Sequence, residues 1–291
     1  GQGPIDKAKE YFPTFYYSLA LRCLEMGLDG SLDGLSASMV TTLDDTLRPF
    51  SQNYKVSVGR KIPMVFLNHA QHRKEDFGKT YNAKIFKQAA ERLEEVCGVK
   101  ITDENLKKAF EVYNENRALK REFVKLCGDY SKTIKASDRC NVLKASFHML
   151  KDEHNKMLKE LIEALKAMPK EECTGPRVVT SGIITDNPAL LEVLDNFNIC
   201  VVADDVAAES RGFKVDVDTS IEDPYMALAD QFARMDEDPI LYDPDIWKRP
   251  KYVVDLALDN DADGCLLFMM TFNDTEEMEY PSLKNAYEKA G

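Results

Sequence analysis

Short apolar runs that alternate with amphipathic segments constrain the fold of this chain more than any other feature. Beyond residue 176, three such runs have the character of buried strands: "RVVTSGIIT", "NICVVADD" and "CLLFMMTF". A helix-like segment follows each of them, and strands joined through helices are typical of parallel sheets. The last run, residues 264–272, stops at Asn273 and Asp274. Because ligands collect at the carboxyl edge of such sheets, we expect a functional site at this corner.

The same patterns divide the chain into three parts. Residues 1–100 alternate between helix and strand, with helical periodicity over 5–26 and a long amphipathic helix that ends at Gly98. Residues 101–175 have helical periodicity almost throughout, with Thr102 as a candidate cap and one helix over 141–168. Residues 176–291 return to the strand and helix alternation. The sequence therefore predicts an α/β fold with two parallel-sheet domains joined by a long-helical segment, and a C terminus truncated where another strand is expected.

Charge and hydropathy exclude two classes of partner. The formal net charge is −12 and the pI is about 5.0, so the field of the protein repels phosphate backbones, and no basic stripe argues for nucleic-acid binding. The longest apolar runs are far too short to span a bilayer, and no signal peptide opens the chain. The seven cysteines are scattered without a C-x-x-C pair. This pattern argues against a disulfide framework and for the cytoplasm.

Motifs that carry chemistry are sparse. The turn "TSGIITDNP" contains Gly182 but matches neither dinucleotide-binding nor P-loop patterns; it is either an anion site at the start of the Pro188 helix or an ordinary turn. His69 and His72 have a spacing that can chelate a metal, yet no third ligand accompanies them. Asp44 lies where a strand meets a helix, so it either caps the helix or flanks a ligand.

The two histidines of the middle region, His148 and His154, lie among charged residues, and we expect both to be solvated or to cap helices. The segment 235–245, "MDEDPILYDPD", has the composition of an acidic surface loop. Neither feature indicates hydrolytic chemistry, and the chain has no G-x-S-x-G motif.

Several stretches together resemble the D-component family of 2-hydroxyacyl-CoA dehydratases and benzoyl-CoA reductase subunits, across nearly the whole chain. These stretches are "LDGLSASMVTTLDDTLRPF", "RLEEVCGVKITDENLKKAFEVYNENRALKREF", "VVADDVAAESRGF" with its Arg211, and "DADGCLLFMMTFNDTEEMEYPSLK". The resemblance implies flavodoxin-like α/β domains and a heterodimer of two similar subunits that works in anaerobic amino-acid fermentation. It also implies syn elimination of water from an (R)-2-hydroxyacyl-CoA through a ketyl radical, started by one electron from an ATP-dependent activator protein and a 4Fe-4S cluster.

The departures from the family pattern matter more than the matches. The three positions that hold cluster cysteines in the family are Phe12, Asp44 and Asn273 in this sequence. Iron–sulfur clusters need soft thiolate ligands, and phenylalanine cannot donate at all. The resemblance thus implies a cluster-free supporting subunit beside a homologous, cluster-bearing partner. It leaves a bound flavin open, although no residue argues for one. The alternative is a repurposed protein that binds a CoA ester or a flavin without dehydratase activity.

Overall fold

The computed structural model describes residues 3–13, 15–42, 44–171, 173–235, 248–271 and 273–291. The α-helices in these ranges are α1 (Ser18–Asp29), α2 (Leu47–Ser57), α3 (Asp76–Cys97), α4 (Asp103–Cys127), α5 (Ala136–Ala145), α6 (Lys151–Ala167), α7 (Pro188–Asn196), α8 (Pro224–Arg234), α9 (Lys248–Asp259) and α10 (Asp274–Ala290). The strands are β1 (Ser38–Thr41), β2 (Met64–Leu67), β3 (Arg177–Gly182), β4 (Cys200–Val206) and β5 (Gly264–Phe268). Short 3-10 helices form at Ala8–Glu10 and Ser210–Phe213.

The chain divides into two compact units. Unit 1 comprises residues 1–107 and 218–233, and unit 2 comprises 108–217 and 234–291. Each unit contains one small sheet, and every strand pair described in the two sheets is parallel. The expected mixed α/β fold with parallel sheets is therefore confirmed, while the division at residues 100 and 175 stays a prediction.

Unit 1 is organised around a two-stranded sheet. β1 runs parallel to β2 with Ser38 opposite Met64. Val65 and Leu67 of β2 are buried against Ala89 of α3. The pairing is parallel because α2 connects the two strands as a crossover helix. The long helix α3 covers the sheet with an apolar face that recurs every three to four residues, as its sequence periodicity predicts.

Unit 2 contains a three-stranded sheet in the order β4-β3-β5. Alternate residues of β3 face opposite sides of this sheet: Val178 packs with Leu191 of α7, and Val179 packs with Val253 of α9 and Leu283 of α10. Burial on both faces explains why most side chains of these strands are apolar and why polar residues do not alternate with them. The carboxyl ends of the three strands lie along one edge, where the candidate site forms.

The helices of the middle region form a second core within unit 2. Phe213 packs with apolar side chains of α4, α5 and α6, and the buried members of this cluster are Phe123, Val124, Cys127, Tyr130, Leu143, Leu158, Ile162, Leu165 and Phe213. Residues three, four or seven apart on α6 supply much of this surface, which is the stripe that a half-buried helix presents. The predicted helical character of this region is confirmed.

Local signals at helix ends are also confirmed in several places. Gly98 follows α3 with φ = +65°, and its amide donates to the carbonyl of Glu94. Thr102 Oγ1 accepts a hydrogen bond from the amide of Asn105 at 3.2 Å, as expected of a cap. Pro188 occupies the first turn of α7, where its missing N–H leaves no helical hydrogen bond unmade.

Residues 141–168 form two helices, and the prediction of one continuous helix is wrong. α5 ends at Ala145, and the chain becomes extended at Leu150 (φ −63°, ψ 144°) before α6 begins. Neither glycine nor proline marks this break. Ser146 is buried and its Oγ donates to the carbonyl of Leu143 at 2.7 Å, so tertiary packing of α5 and a side-chain bond end the helix.

Two other boundaries differ from expectation. The first α-helix starts at Ser18, and residues 8–10 form a 3-10 turn instead of part of one helix over 5–26. β5 opens at Gly264, where its apolar run begins, but it is shorter than that run and ends at Phe268. α10 then begins at Asp274 and contains Pro281.

The acidic loop predicted for residues 235–245 lies outside the described residues, except for Met235. Among the described helices, none has both the length and the apolar character that crossing a bilayer requires.

Candidate functional site

Asn273 is the N-terminal cap of helix α10. Its side chain is almost fully buried, at 5% exposure, and Oδ1 accepts a hydrogen bond from the amide of Glu276 at 3.4 Å. Glu276 in turn accepts, through Oε2, a hydrogen bond from the amide of Met270 at 3.0 Å. The polar side chains after β5 thus form hydrogen bonds with nearby backbone amides. Such bonds compensate the amides that lack a partner at the start of a helix.

Phe12 and Asp44, the other two positions assigned by the family resemblance, have structural partners in unit 1. The ring of Phe12 is buried and stacks on Phe50 at 6.1 Å between centroids. Asp44 Oδ1 accepts from the amide of Thr46 at 2.7 Å and from the hydroxyl of Tyr17 at 3.2 Å. Burial, followed by the Asp44 charge, raises the pKa of Tyr17 above its usual range. Asp44 therefore stabilises the turn before α2 and does not cap the helix, because the N-cap of α2 is Thr46, without a side-chain capping bond.

The residues at these three positions do not fit a 4Fe-4S cluster. One is an aromatic ring in the core, and the side-chain oxygens of the other two take part in turn and capping hydrogen bonds. Burial also raises the pKa of Cys127 to about 12 and the pKa of Cys140 and Cys265 to about 11, so these thiols stay protonated at neutral pH. Among the described residues, no group of three metal-ligating side chains occurs.

The histidines take structural positions. In unit 1, Nδ1 of His69 is 2.8 Å from the hydroxyl of Thr42, and the His69 ring meets Phe232 edge-on. His72 is exposed. His148 is exposed as expected, but the expectation for His154 is wrong. His154 is buried, where its two ring nitrogens lie within hydrogen-bond distance of Asn116 and the carbonyl of Val142.

Gly182 ends β3 at a place where the backbones of β3 and β5 approach closely. It has φ = +148°, and a Cβ at this position would lie 2.4 Å from the carbonyl oxygen of Phe268. The following helix α7 is capped by Asn187, whose side chain accepts from the amide of Ala189 at 3.0 Å. Of the two interpretations of this segment, the capped strand-to-helix turn agrees with these contacts.

Arg211 binds a buried carboxylate at the same edge. Its Nε and Nη2 donate to the two oxygens of Asp205, at 2.9 and 2.7 Å. Arg249 approaches the same carboxylate, with Nη1 3.1 Å from Asp205 Oδ2. Its Nε lies 2.9 Å from Glu279 Oε2. Burial raises the pKa of Glu279, and the positive charge of Arg249 partly opposes that shift.

Arg249 and Glu279 border a small cavity between the ends of β3 and β5 and helix α10, whereas Arg211 and Asp205 line a separate cavity of about 260 Å³. The walls of the small cavity are Ser181, Gly182, Arg249, Glu276 and Glu279 together with apolar residues of β5 and α10. The cavity has a volume of about 20 Å³, which suits one water molecule. The arrangement can hold a water or a small polar group against a guanidinium and a carboxyl group, but it cannot enclose an acyl thioester.

A second buried ionic network was not predicted from the sequence. Arg139 of α5 donates to both Asp204 and Glu209, and Thr185 Oγ1 donates to Glu209 at 2.5 Å. Ser210 donates to Asp204 through its hydroxyl and its amide. The sequence feature that could have indicated this network is the pair of aspartates in the otherwise apolar strand β4. Buried carboxylates require a cationic partner.

Cys173 and Cys200 form a disulfide, which the cysteine pattern, interpreted as evidence against a disulfide framework, did not predict. The two cysteines are 27 residues apart in sequence, but the segment before β3 runs beside the start of β4. The amide of Cys200 donates to the carbonyl of Pro176 at 2.8 Å. Parallel pairing of these strand starts brings the thiols together, which no spacing rule could indicate.

Comparisons with known proteins agree with the family resemblance. A family model described as 2-hydroxyglutaryl-CoA dehydratase, D-component, matches residues 1–291. The chain is 43% identical over 282 residues to the (R)-2-hydroxyglutaryl-CoA dehydratase subunit beta of Acidaminococcus fermentans, covering 96% of this chain and 74% of the relative. It is 39% identical over 287 residues to the (R)-phenyllactyl-CoA dehydratase beta subunit of Clostridium sporogenes, covering 99% and 76%. It is 34% identical over 287 residues to the lactoyl-CoA dehydratase subunit beta of Anaerotignum propionicum, covering 99% and 75%.

Proposed function

Because the chain belongs to the 2-hydroxyglutaryl-CoA dehydratase D-component family, we propose that it is the cluster-free, beta-type subunit of a 2-hydroxyacyl-CoA dehydratase. Such an enzyme eliminates water from an (R)-2-hydroxyacyl-CoA. Three relatives that are 34%, 39% and 43% identical over nearly the whole chain carry the name of beta subunits. A beta subunit requires at least one further chain, and we propose a homologous subunit that holds the 4Fe-4S cluster.

The engagement of Phe12, Asp44 and Asn273 in packing and capping carries the cluster-free assignment. A ligand position would leave its donor atoms directed at the metal, whereas two of these side chains accept amide hydrogen bonds and the third is a hydrocarbon ring. We therefore propose that no step of the reaction uses iron bound to this chain.

The volumes of two cavities at the carboxyl edge of unit 2 support an auxiliary role. The one beside Arg211 and Asp205 has about 260 Å³, which is below the ordinary size of ligand pockets, and the one beside Arg249 and Glu279 is far smaller. At about 20 Å³ it is more than tenfold smaller than ordinary ligand pockets, which span roughly 300–1,000 Å³. Arg249 and Glu279 can order a single water there, but the acyl group needs more room than this cavity offers. We propose that the acyl-CoA substrate reacts mainly on the partner, and that this chain contributes a subunit interface and part of the docking surface for an ATP-dependent activator protein.

The strand order of unit 2 supports the finer proposal of flavodoxin-like domains. The order β4-β3-β5 places the second strand, then the first, then the third, which is how the flavodoxin-like order 2-1-3-4-5 begins. We propose the same family of fold for unit 1 and a cytoplasmic location for the assembly. Binding of a flavin by this chain is a separate question, which visible absorbance spectroscopy of the purified protein answers.

The test is purification under anoxic conditions, with the chain expressed alone and then with its candidate partner. Alone, the chain should contain no iron or acid-labile sulfide. With the partner, a stable complex should contain one cluster and should dehydrate a 2-hydroxyacyl-CoA when an activator and ATP are supplied.

A stoichiometric 4Fe-4S spectrum from the chain alone would refute the cluster-free assignment. If no cluster-bearing homologue associates with the chain, the alternative of a repurposed CoA-ester- or flavin-binding protein replaces this proposal. Difference absorbance after addition of flavin or CoA ester to the isolated chain would then identify the ligand.

A further inference from the structure

Lys120 of α4 is a buried lysine in unit 2. It is only 8% exposed. Its ammonium group lies 4.8 Å from the ring centre of Phe213 and 6.0 Å from that of Phe147. No carboxylate of the described residues acts on Lys120, although buried lysines rarely lack one.

The charged groups that act on Lys120 are cations. Lys151 at the start of α6 and Arg117, one turn earlier on α4, both lower its pKa, after the larger effect of burial. Lys151 donates to the carbonyl of Ser146, and its Nζ lies 5.3 Å from the ring centre of Tyr113. Arg117 lies 6.0 Å from the same ring and donates to Asn114.

The titratable neighbour of Lys120 that is not a cation is the neutral imidazole of His154. His154 of α6 has a lowered pKa because of burial, with Lys120 and Lys151 adding to the shift. Neutral histidine cannot compensate the two ammonium groups. A protein with a net charge of −12 thus has three cations around one buried position. Asp216 acts on Arg117, whereas no carboxylate of the described residues acts on Lys120 or Lys151. Groups perturbed by burial and by like charges cluster at functional sites.

Exposed aromatic rings stand at the edge of this cationic cluster. Tyr113 is 46% exposed and Phe147 is 66% exposed. Flat rings beside a positive group are the elements that bind the base and phosphate of a nucleotide, through stacking and ionic hydrogen bonds respectively.

We propose that Arg117, Lys120 and Lys151 form an anion site for a phosphorylated small molecule, with Tyr113 and Phe147 placed to stack on a planar base. The phosphate supplies the missing counter-charge of Lys120, and the guanidinium of Arg117 and the ammonium of Lys151 bind its remaining oxygens. This site does not depend on the proposed dehydratase role, because its residues include none of Phe12, Asp44 and Asn273.

Isothermal titration of the full chain with three probes tests the site. Pyrophosphate provides the anion, ADP adds a planar base, and adenosine has the base alone. ADP and pyrophosphate should bind with one site per chain, ADP more tightly, and both should weaken as the salt concentration rises. Adenosine should show no measurable binding. Absence of binding of both anions to folded protein at millimolar concentration overturns the proposal.

Substitutions distinguish binding of an anion at this site from non-specific attraction of anions to the surface of the protein. Lys120→Met keeps the apolar stem and should weaken pyrophosphate binding at least about tenfold, a loss of about 1.4 kcal/mol. Lys284→Met is the matched control, because Lys284 belongs to an exposed pair with Glu288 on α10. Equal weakening by both variants contradicts the proposal. Arg117→Gln and Lys151→Gln provide a second test if the first variant fails to fold.

A spectroscopic measurement adds a readout that a purely structural lysine would not change. In the free protein the pKa of Lys120 is lowered to about 8. Pyrophosphate beside the ammonium group should raise that pKa, which carbon-13 NMR of lysine side chains detects. If the Lys120 resonance titrates identically with and without pyrophosphate, the anion does not bind there and the proposal fails.

Discussion

Asn273 accepts, through its side-chain oxygen, a hydrogen bond from the amide of Glu276 three residues later, at 3.4 Å. This contact makes it the cap of α10 at the carboxyl edge of the sheet in unit 2. The family resemblance assigns a cluster ligand to this position, whereas the side chain of Asn273 takes part in the backbone hydrogen bonding of a helix. The residue explains both the polar corner after β5 and the start of α10 well before Pro281.

Removal of this cap should destabilise the protein measurably. For Asn273→Ala we expect a loss of about 0.5–1 kcal/mol in the free energy of unfolding, because the amide of Glu276 loses its acceptor in a buried setting. Asn273→Asp keeps an acceptor at the same place and should lie within about 0.5 kcal/mol of the parent. Urea unfolding of both variants measures the difference. Equal stability of the alanine variant and the parent contradicts a capping role.

Loss of the Asp205 carboxylate, which binds two arginines, should lower the free energy of unfolding far more than loss of the Asn273 cap. Asp205 is 1% exposed and faces both Arg211 and Arg249. Asp205→Asn leaves two buried guanidinium groups without full compensation, and we expect a loss of about 3–5 kcal/mol. The control is Asp255→Asn, which breaks an exposed pair with Lys251 and should change stability by about 0.5 kcal/mol or less. Similar midpoints in chemical unfolding of the two variants would be inconsistent with this network.

The disulfide between Cys173 and Cys200 should appear in a thiol count. Under non-reducing denaturing conditions five of the seven cysteines should react with a thiol reagent, and all seven should react after reduction. Closure of a loop of this length should stabilise the folded state by about 3–4 kcal/mol relative to the reduced form. The Cys173→Ser, Cys200→Ser double variant should unfold at the lower urea midpoint of the reduced protein. Seven reactive thiols in freshly isolated oxidised protein would show that the bond does not form.

Stability should rise with pH in the alkaline range because of Lys120. Its pKa is about 8 in the folded protein, lowered by burial, whereas the unfolded chain has the ordinary value of 10.5. Between these two values the unfolded state binds more protons, so the destabilisation caused by the buried charge declines as pH increases. Below pH 8 that destabilisation is present in full.

The buried charge of Lys120 also determines how the stability of Lys120→Met depends on pH. This variant should be more stable than the parent below pH 8, and the difference should shrink towards pH 10.5. Thermal unfolding of both proteins across this range measures the effect. A variant that is less stable at neutral pH than the parent would indicate an undetected favourable partner of Lys120.

Much of the fold was predictable because it depends on local patterns. Apolar strands, the amphipathic stripe of α3 and the terminal Gly98 follow from periodicity and from backbone conformation alone. The break between α5 and α6 was not predictable in this way. It arises from Ser146, which binds Leu143 in a buried environment, and serine carries no strong stop signal in sequence.

For the candidate site, too, the sequence predicts some residues and not others. The carboxyl edge of the sheet, Gly182 and Arg211 were foreseen from the strand pattern and the family resemblance. Their partners were not, because Arg139 and Arg249 are far in sequence from the carboxylates that they bind. Pairings of this kind depend on which helix covers which strand.

The sequence by itself determined the strand and helix alternation, the family and the absence of thiolates at positions 12, 44 and 273. These are properties of residue order and composition, which exist before folding. Only the tertiary structure decided that Asn273 caps a helix, that Cys173 meets Cys200 and that Lys120 is buried among cations and aromatic rings. Each of these depends on distance and desolvation, which are created when chain segments remote in sequence pack together.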